Sequence, residues 1–199
     1  MSGPRIAFVY RYLQLGGVET VLRTRMEELR RRGLDFRAAF MEARGGEELF
    51  ASFQAQVRVC PDDRSMGELL APFAPDWMLV IDTPEALPAI AAALPAVPLV
   101  AEAHSTYPEV QGWLLEPTSQ AAFAGVLAPS PSLAAQIRSR LLRPLPVAVV
   151  SNALNPGFGP DGPVSERPAR PVLAWAGRLA WLKNWRGYCE LLRLLRRDG

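Results

Sequence analysis

Residues 6–33 have the sequence IAFVYRYLQLGGVETVLRTRMEELRRRG, and this stretch contains the two patterns from which we infer the fold. Its first part, Ile6 to Tyr10, is a short apolar run of the kind that forms a buried strand. After a pair of glycines, apolar residues recur three and four positions apart, which is the spacing of one face of a helix. This pattern predicts a helix from about Val18 to Arg32. Gly33 is expected to end it, because glycine readily adopts the left-handed conformation that follows a helix.

The same alternation of strands and helices continues along most of the chain. Further strands are predicted at residues 36–41, 57–60, 77–81, 97–101, 126–128, 147–150 and 172–176. Helices are predicted at residues 47–54, 66–73, 84–93, 131–141 and 185–196, and residues 110–122 are interpreted as partly helical. Strands that alternate with helices are typical of a parallel sheet covered by helices, so the predicted fold class is α/β.

The composition changes sharply after the strand at residues 147–150. Residues 152–170 are rich in proline and glycine and have no apolar periodicity, which predicts an interdomain linker between a domain at 1–151 and a second one starting at 171. Residues 171–199 contain only one predicted strand and one helix. Because such a pair cannot bury its own apolar faces, we expect 171–199 to be the first βα unit of a truncated second domain.

The overall composition excludes several classes of protein. With 49% hydrophobic residues the chain has enough apolar surface for a core, and its net charge of +2 includes no basic tract that would indicate nucleic-acid binding. Two cysteines, Cys60 and Cys189, make neither a disulfide framework nor a metal site and are typical of a reducing compartment. We find neither a signal peptide nor a membrane-spanning stretch, so a cytoplasmic location is expected, with no evident amphipathic helix for membrane association.

The glycines that follow the first predicted strand form a candidate ligand site. Gly16 and Gly17 would let the backbone approach a ligand closely, and the free N–H groups of a helix start favour an anion. Glu19, in the first turn, suits the helix dipole but would repel a phosphate. An ordinary glycine turn is the alternative interpretation, and the motif differs from the dinucleotide-binding fingerprint.

His104 follows the fifth predicted strand and is the only histidine of the chain. Ligands of open α/β sheets bind outside the carboxyl ends of the strands, so this position favours a residue that hydrogen-bonds in a cleft. A structural histidine is the alternative. Since no cysteine or aspartate stands at the spacing of a nucleophile or a metal ligand, neither a catalytic triad nor a metal site is predicted.

Two cations stand in the loop between the last predicted strand and the last helix. Arg178 and Lys183 are five residues apart, and Lys183 is the only lysine of the chain. Together with the following helix start, two cations can clamp a diphosphate, the arginine through two parallel hydrogen bonds and the lysine as a point charge. A solvated basic loop is the alternative interpretation.

Taken together, these segments resemble the family 4 glycosyltransferases of the GT-B fold, whose N-terminal domain is a Rossmann-like parallel sheet flanked by helices. The resemblance rests on five motifs in the family's order: Gly16-Gly17-Val18-Glu19, His104, Ser130 at the start of a helix, Asn152 with Phe158 and Pro160, and Gly177-Arg178-Leu179 with Lys183. The match covers nearly the whole chain. Ala153, Asn155 and Asn184 depart from the pattern, because the family has Gly, Asp and Gly there.

The resemblance implies transfer of a sugar from a nucleotide diphosphate sugar, with retention of configuration, no cofactor and no obligatory metal. It implies catalytic roles for Arg178, Lys183 and His104, and substrate or donor binding by Gly16, Gly17, Glu19, Ser130 and Asn152. The family's second domain carries two glutamates eight residues apart, and the chain ends before any such motif. We therefore expect the donor half of the site to lie in a missing remainder of that domain, and the isolated chain to be inactive.

The sequence leaves the acceptor open among sugars, polysaccharides, lipids and small molecules, and it leaves open the donor base and hexose. One alternative activity is a nucleotide-sugar epimerase, because some epimerases share the two-domain architecture. The other is a non-catalytic module that binds a sugar or a nucleotide, because the donor half of the site is missing.

Overall fold

A computed structural model of the protein describes residues 3–105, 112–153, 172–177 and 183–196. Its strands are β1 (Ile6–Leu13), β2 (Phe36–Ala43), β3 (Val57–Val59), β4 (Trp77–Ile81), β5 (Leu99–Glu102), β6 (Phe123–Ala128) and β7 (Val147–Val149). Its α-helices are α1 (Gly17–Arg31), α2 (Asp63–Phe73), α3 (Leu87–Ala93), α4 (Pro117–Ala122), α5 (Pro131–Arg140) and α6 (Trp185–Leu195). Short 3-10 helices occupy Glu47–Phe53, Pro84–Ala86 and Gly112–Leu115.

The described strands form one parallel sheet in the order β3-β2-β1-β4-β5-β6-β7. Strand β1 lies between β2 and β4, with Ile6 aligned to Phe36 on one side and to Trp77 on the other. The strand order therefore reverses direction between β1 and β4. In open α/β sheets such a reversal leaves a crevice at the carboxyl ends of the strands, where ligands bind. The predicted α/β fold class is confirmed.

Two apolar clusters hold the helices on the two faces of the sheet. On one face, the large side chains of β1 and β2, such as Phe8 and Phe40, pack with Leu22 and Met26 of α1. On the other face, smaller strand residues pack against α2, α3 and α5, where Leu70 and Ile90 are fully buried. Successive residues of a strand point to opposite faces, so a strand buried on both faces is nearly all apolar, as the sequence pattern indicated.

Three helices differ from the predicted ones in their bounds or in their type. Helix α2 begins at Asp63, three residues before the predicted start, because Asp62 accepts a hydrogen bond of 2.7 Å from the backbone N–H of Ser65. The Ser65 hydroxyl in turn accepts one of 3.3 Å from the N–H of Asp62, which completes a capping box. The predicted helix at 47–54 is a 3-10 helix, and that at 84–93 consists of a 3-10 turn followed by α3.

The chain forms two compact units, residues 1–159 and 160–199. In the second unit helix α6 is confirmed, but the strand predicted at 172–176 is wrong, since these residues have no regular secondary structure. A strand exists only where a neighbouring strand pairs with its backbone groups, and none lies beside 172–176 among the described residues of this unit. The predicted linker lies mostly outside the described residues, and the predicted domain boundaries stay a prediction.

Candidate functional site

Three residues of interest lie at the ends of neighbouring strands on the carboxyl edge of the sheet. Gly16 follows β1, Asp82 follows β4 and His104 follows β5, and these three strands are adjacent in the sheet. The alignment of Ile81 with Glu102, and the hydrogen bond of 3.2 Å from the N–H of Asp82 to the carbonyl of Glu102, hold the ends of β4 and β5 together. The reversal of strand order thus brings the predicted glycine and histidine positions to one edge.

The two glycines at the start of α1 have different local requirements. Gly16 is the residue before the helix and contributes no side-chain cap, and a Cβ atom placed on it would meet the Oε2 oxygen of Glu19. A Cβ atom on Gly17 would meet open space. Glu19 is buried, with 1% of its surface exposed. A side chain at Gly16 would therefore displace the buried Glu19 carboxylate, whereas the position of Gly17 is open.

His104 is held by a buried ion-pair network that the sequence did not reveal. Its Nε2 atom lies 2.7 Å from Oε1 of Glu102. Both carboxylate oxygens of Glu102 accept from Nη1 of Arg25, at 2.7 and 2.6 Å. The side chains are 8%, 2% and 18% exposed for His104, Glu102 and Arg25. The network therefore joins helix α1 to the end of β5 and fixes one edge of the imidazole ring.

The electrostatics of Glu102 follow from its two partners. Burial raises the pKa of the carboxyl, but hydrogen bonds and charge from His104 and Arg25 lower it more, so the net pKa lies below its ordinary value. Glu102 is thus ionised at neutral pH. Because a carboxylate only accepts hydrogen bonds, the Nε2 atom of His104 must carry the proton of this contact.

Asp82, at the end of β4, lies in a different environment. Burial raises the pKa of its carboxyl to about 6, against a smaller lowering by the charge and the backbone N–H of His104. Its Oδ1 atom is buried and has no hydrogen-bond partner among the residues that the structure describes. Its φ angle of 42° lies in the left-handed region. Asp82 therefore combines an unpartnered buried oxygen with an unfavourable backbone conformation.

A cavity of about 520 Å³ lies beside this network, along helix α1. Its walls are mainly apolar side chains of the strands, among them Phe8, Leu79 and Leu127, and Arg25 is one of the α1 residues that line it. The guanidinium charge of Arg25 is already paired with Glu102. Arg25 therefore belongs both to the network and to the cavity wall, but its charge is not free to bind a ligand in the cavity.

The remaining predicted site residues of the first unit lie at its carboxyl edge or just after it. Ser130 precedes α5, and its hydroxyl oxygen accepts a hydrogen bond of 3.2 Å from the N–H of Leu133. This is the contact of a helix cap. Asn152 is exposed, shortly after β7. The structure thus gives Ser130 a structural contact, and donor binding by Ser130 and Asn152 stays a prediction.

In the second unit Lys183 is exposed and immediately precedes the N-terminus of α6. Its backbone carbonyl accepts a hydrogen bond of 3.0 Å from Nε1 of Trp175. Asn184 caps the helix, since its side chain accepts from the N–H of Gly187 at 3.3 Å. Arg178 lies outside the described residues. The predicted pairing of these two cations therefore stays a prediction.

Sequence reasoning found His104 and the glycines but missed Arg25, Glu102 and Asp82. A usable signal existed for each of them. Glu102 is the one charged residue of strand β5, Arg25 falls on the otherwise apolar stripe of α1, and Asp82 directly follows the apolar run of β4. A charged residue at a position where the pattern requires an apolar one indicates a buried pair or a functional group.

The described residues contain neither a membrane-spanning helix nor a cluster of metal-ligating side chains. None of the helices seen in the structure combines the length and the apolar character that crossing a bilayer requires. Within 3–105, 112–153, 172–177 and 183–196, no three His, Cys, Asp or Glu residues are grouped so that they could hold a metal ion. Cys60 is buried, Cys189 is exposed, and both are free thiols. Independence from a metal and a cytoplasmic location stay predictions.

Comparison with solved structures shows the same fold in two proteins. The apo form of the lipopolysaccharide outer core galactosyltransferase WaaB matches 75% of this chain at 16% identity with a TM-score of 0.56. HepE (Alr3699) of Anabaena, in complex with UDP and glucose, matches 77% of the chain at 19% identity with a TM-score of 0.59. The matches cover 46% and 45% of those two chains, so this chain spans less than half of their length.

Comparison with curated protein sequences finds no match. The sequence model of Glycosyltransferase Family 4, in contrast, matches residues 15–158, which include the glycine turn, the Arg25–Glu102–His104 network and the carboxyl ends of β2 to β7. The predicted family and the Rossmann-like α/β fold are both confirmed. The chain belongs to Glycosyltransferase Family 4.

Proposed function

We propose that the full-length protein transfers a sugar from a nucleotide diphosphate sugar to an acceptor, with retention of configuration at the anomeric carbon. The observation that carries the proposal is the buried Arg25–Glu102–His104 network at the reversal of strand order in a chain of this family. An ion pair that is costly to bury is typical of a functional site when it lies in a ligand crevice.

This chain spans less than half the length of the two matched structures, so the activity is proposed for the whole protein. We assign the first unit to the acceptor side of the cleft and residues 171–199 to the beginning of the donor side. The isolated chain is then expected to show no turnover, since most of the donor site lies elsewhere. Closure of the two domains would assemble the complete site.

We assign His104 to contact with the donor sugar. Its Nε2 atom is occupied by Glu102, so only Nδ1 and the ring carbons are left to meet a ligand. The role of Glu102, with Arg25 behind it, is to hold the ring in one orientation. A preoriented group makes its contact in the transition state without further ordering, which is the source of its effect on the rate.

We assign Lys183 and Arg178 to the diphosphate. Breaking the bond between sugar and phosphate leaves negative charge on the departing diphosphate, and in a metal-independent reaction cationic side chains must meet that charge. The place of Lys183 directly before α6 supports this role, because the N–H groups of a helix start favour an anion. In the first unit, Gly17 is the glycine at which a Cβ atom would meet open space, whereas the Glu19 carboxylate beside Gly16 would repel a phosphate that came too near.

The first test is Lys183→Ala in the full-length protein, with Arg193→Ala as the matched control. Arg193 is a cation of the same unit, in the last turn of α6, and it is paired with Glu190 at 2.6 Å. We expect Lys183→Ala to reduce turnover by about two orders of magnitude, since a preorganised charge contact is worth roughly 2.7–4 kcal/mol. Arg193→Ala should stay within about twofold of the unsubstituted protein.

The assay measures release of UDP or GDP from UDP-glucose and GDP-mannose, with an acceptor found by screening, and the anomeric configuration of the product by NMR. Near-normal turnover of Lys183→Ala would remove the assignment of this residue. An inverted product would contradict retention. An epimerised free nucleotide sugar would favour the epimerase, and calorimetric binding without any turnover would favour a binding module.

A further inference from the structure

The end of strand β1 is supported by strand pairing on one side only. Its pairing with β4 stops at Tyr10, whereas its pairing with β2 continues to Leu13, which is aligned with Ala43. The carbonyl of Leu13 also accepts a hydrogen bond of 2.7 Å from the N–H of Arg44, just after β2. Among the described residues, the main chain that leads into the glycine turn is therefore held from the side of β2.

Gly46, in the loop after β2, packs directly against the main chain of this turn. A Cβ atom placed on Gly46 would lie 2.5 to 2.6 Å from the backbone N, Cα and C atoms of Gln14. Atoms in contact are normally about 3.5 Å or more apart, so no side chain fits between the two main chains. Where an added Cβ atom on another described glycine would come closer than 3.0 Å to an atom, that atom belongs to a side chain. The contact at Gly46 is therefore the one that a side-chain movement cannot relieve.

The loop that carries Gly46 is itself firmly held. Gly46 is buried, and its carbonyl accepts a hydrogen bond of 3.1 Å from the N–H of Leu49, in the 3-10 helix that follows. Phe50 and Phe53 of this helix are buried in the apolar cluster that joins β1, β2 and α1. Crowding between Gly46 and Gln14 would therefore be relieved by movement of Gln14, which is only half-buried.

We propose that Gly46 is a positioning residue of the sugar-transfer site, because it sets the place of the turn formed by Gly16 and Gly17. Gln14 stands two residues before Gly16, whose carbonyl accepts the first hydrogen bond of α1 from the N–H of Thr20 at 3.1 Å. A Cβ atom on Gly46 would require a displacement of Gln14 by about 1 Å. Since only one residue separates Gln14 from Gly16, this displacement would move the glycines as well.

The inference rests on the proposed function, since the place of this turn matters only where Gly16 and Gly17 bind a substrate or the donor. A side chain can rotate to follow a ligand, whereas a backbone N–H group moves only with its loop. Contacts made by the main chain therefore need a rigid support, and an error of 1 Å in such a contact can reduce a rate by about a hundredfold.

The displacement can be observed directly in this chain, because Leu15–Gly16 is its only leucine–glycine step. With ¹³C-carbonyl leucine and ¹⁵N-glycine, a spectrum that selects amides preceded by a labelled carbonyl gives one resonance, that of Gly16. We expect Gly46→Ala to shift this resonance clearly. Gly67→Ala is the matched control and should leave it in place, since a Cβ atom on Gly67 would meet only the Cβ atom of Ala93, at 3.8 Å.

The kinetic test uses the full-length protein. We expect Gly46→Ala to lower kcat by about tenfold or more, while the KM for the donor stays within about threefold. Gly33→Ala controls for a loss of stability, because its φ angle of 68° is unfavourable for alanine, although a Cβ atom there would meet open space. Gly33 follows the far end of α1, so this variant should melt earlier and keep its kcat at a temperature where it is folded.

The outcomes separate this inference from the proposed function. An unmoved Gly16 amide in Gly46→Ala, or a kcat no lower than that of Gly33→Ala, overturns the positioning role. If the unsubstituted full-length protein transfers no sugar, the proposed function fails and the catalytic part of the inference fails with it, whereas the amide shift still decides whether Gly46 sets the place of Gly16. If Gly46→Ala alone does not fold, adding Gly67→Ala, which favours helix α2, and comparing the double variant with Gly67→Ala gives the same decision.

Discussion

The ends of β4 and β5 lie side by side, and each carries a carboxylate, Glu102 fully buried and Asp82 partly buried, with opposite electrostatic outcomes. At the end of β5, Glu102 has a guanidinium on one side and an imidazole on the other, and its pKa lies below the ordinary value. At the end of β4, burial dominates and raises the pKa of Asp82 to about 6. Burial raises the pKa of both groups, so the number of cationic partners decides whether the net pKa shift is upward or downward.

The two carboxylates therefore differ in what they contribute to the stability of the fold. Glu102 joins α1 to the sheet through Arg25, so it contributes to both. Asp82 has no salt bridge among the described residues, and the influence of His104 is smaller than that of burial, so its ionised carboxylate contributes to the fold at a net cost. Substitutions at the two positions should therefore change the free energy of unfolding in opposite directions.

The largest effect is expected from Glu102→Ala, which leaves the mostly buried guanidinium of Arg25 without its carboxylate. We expect a loss of about 3 kcal/mol or more, the usual result when one partner of a buried pair is removed. Urea unfolding at pH 7.5 measures it. Glu85→Ala is the control, since its pair with Arg11 has a similar length of 2.9 Å but is exposed, and it should lose less than about 1 kcal/mol. A smaller loss for Glu102→Ala than for Glu85→Ala would contradict the account of the network.

The second prediction concerns the pH dependence of Asp82→Asn. The folded-state pKa of Asp82 is raised from 3.8 to about 6, so the penalty for its charge is absent below the ordinary value and complete above about pH 6. We expect Asp82→Asn to be more stable than the unsubstituted protein by about 2 kcal/mol at pH 8 and by almost nothing below pH 4. Urea unfolding between pH 4 and pH 8 measures how this stability difference changes with pH.

The contribution of Glu102 should show the reverse dependence. Its folded-state pKa is lowered, so its stabilisation is present above the ordinary value of 4.5 and is lost as the pH falls through the folded value. The stability gap between the unsubstituted protein and Glu102→Gln should therefore close in acid, whereas the gap for Asp82→Asn opens towards neutral pH. If the free energies of unfolding of the two variants, each taken relative to the unsubstituted protein, changed with pH in the same direction, the assigned pKa shifts would be contradicted.

The first unit was predictable from sequence because most of its strands are specified twice, by their own apolar run and by the helical segment that follows. Residues 172–176 show the limit of this reasoning. They have the same apolar character as β1, but among the described residues they have no neighbouring strand, and Val172 is 71% exposed. Local pattern predicts which segments can form a strand, whereas pairing decides which of them do.

The site was predictable only in part, for a similar reason. The positions of Gly16 and His104 follow from the rule that ligands bind at the carboxyl ends of strands. Arg25 and Glu102 are 77 residues apart in the chain, and only the order of the strands brings them together. No spacing rule relates residues that meet through sheet topology, so the network became visible only in the structure.

The smallest effect is expected at the start of α5, which follows β6, the strand next to β5 in the sheet. Ser130 was predicted to bind the donor, yet its hydroxyl caps the helix through the N–H of Leu133. If the cap is its main role, Ser130→Ala should lose about 1 kcal/mol in urea unfolding and Ser130→Gly only a few tenths, because glycine is a tolerable cap residue. Ser132→Ala, an exposed position in the first turn of the same helix, should change the stability by less than about 0.5 kcal/mol and serves as the control.

A loss in Ser130→Gly as large as that in Ser130→Ala would contradict the capping role. Equal stability of all three variants, with weaker UDP-glucose binding by both Ser130 variants of the full-length protein, would return Ser130 to the donor site.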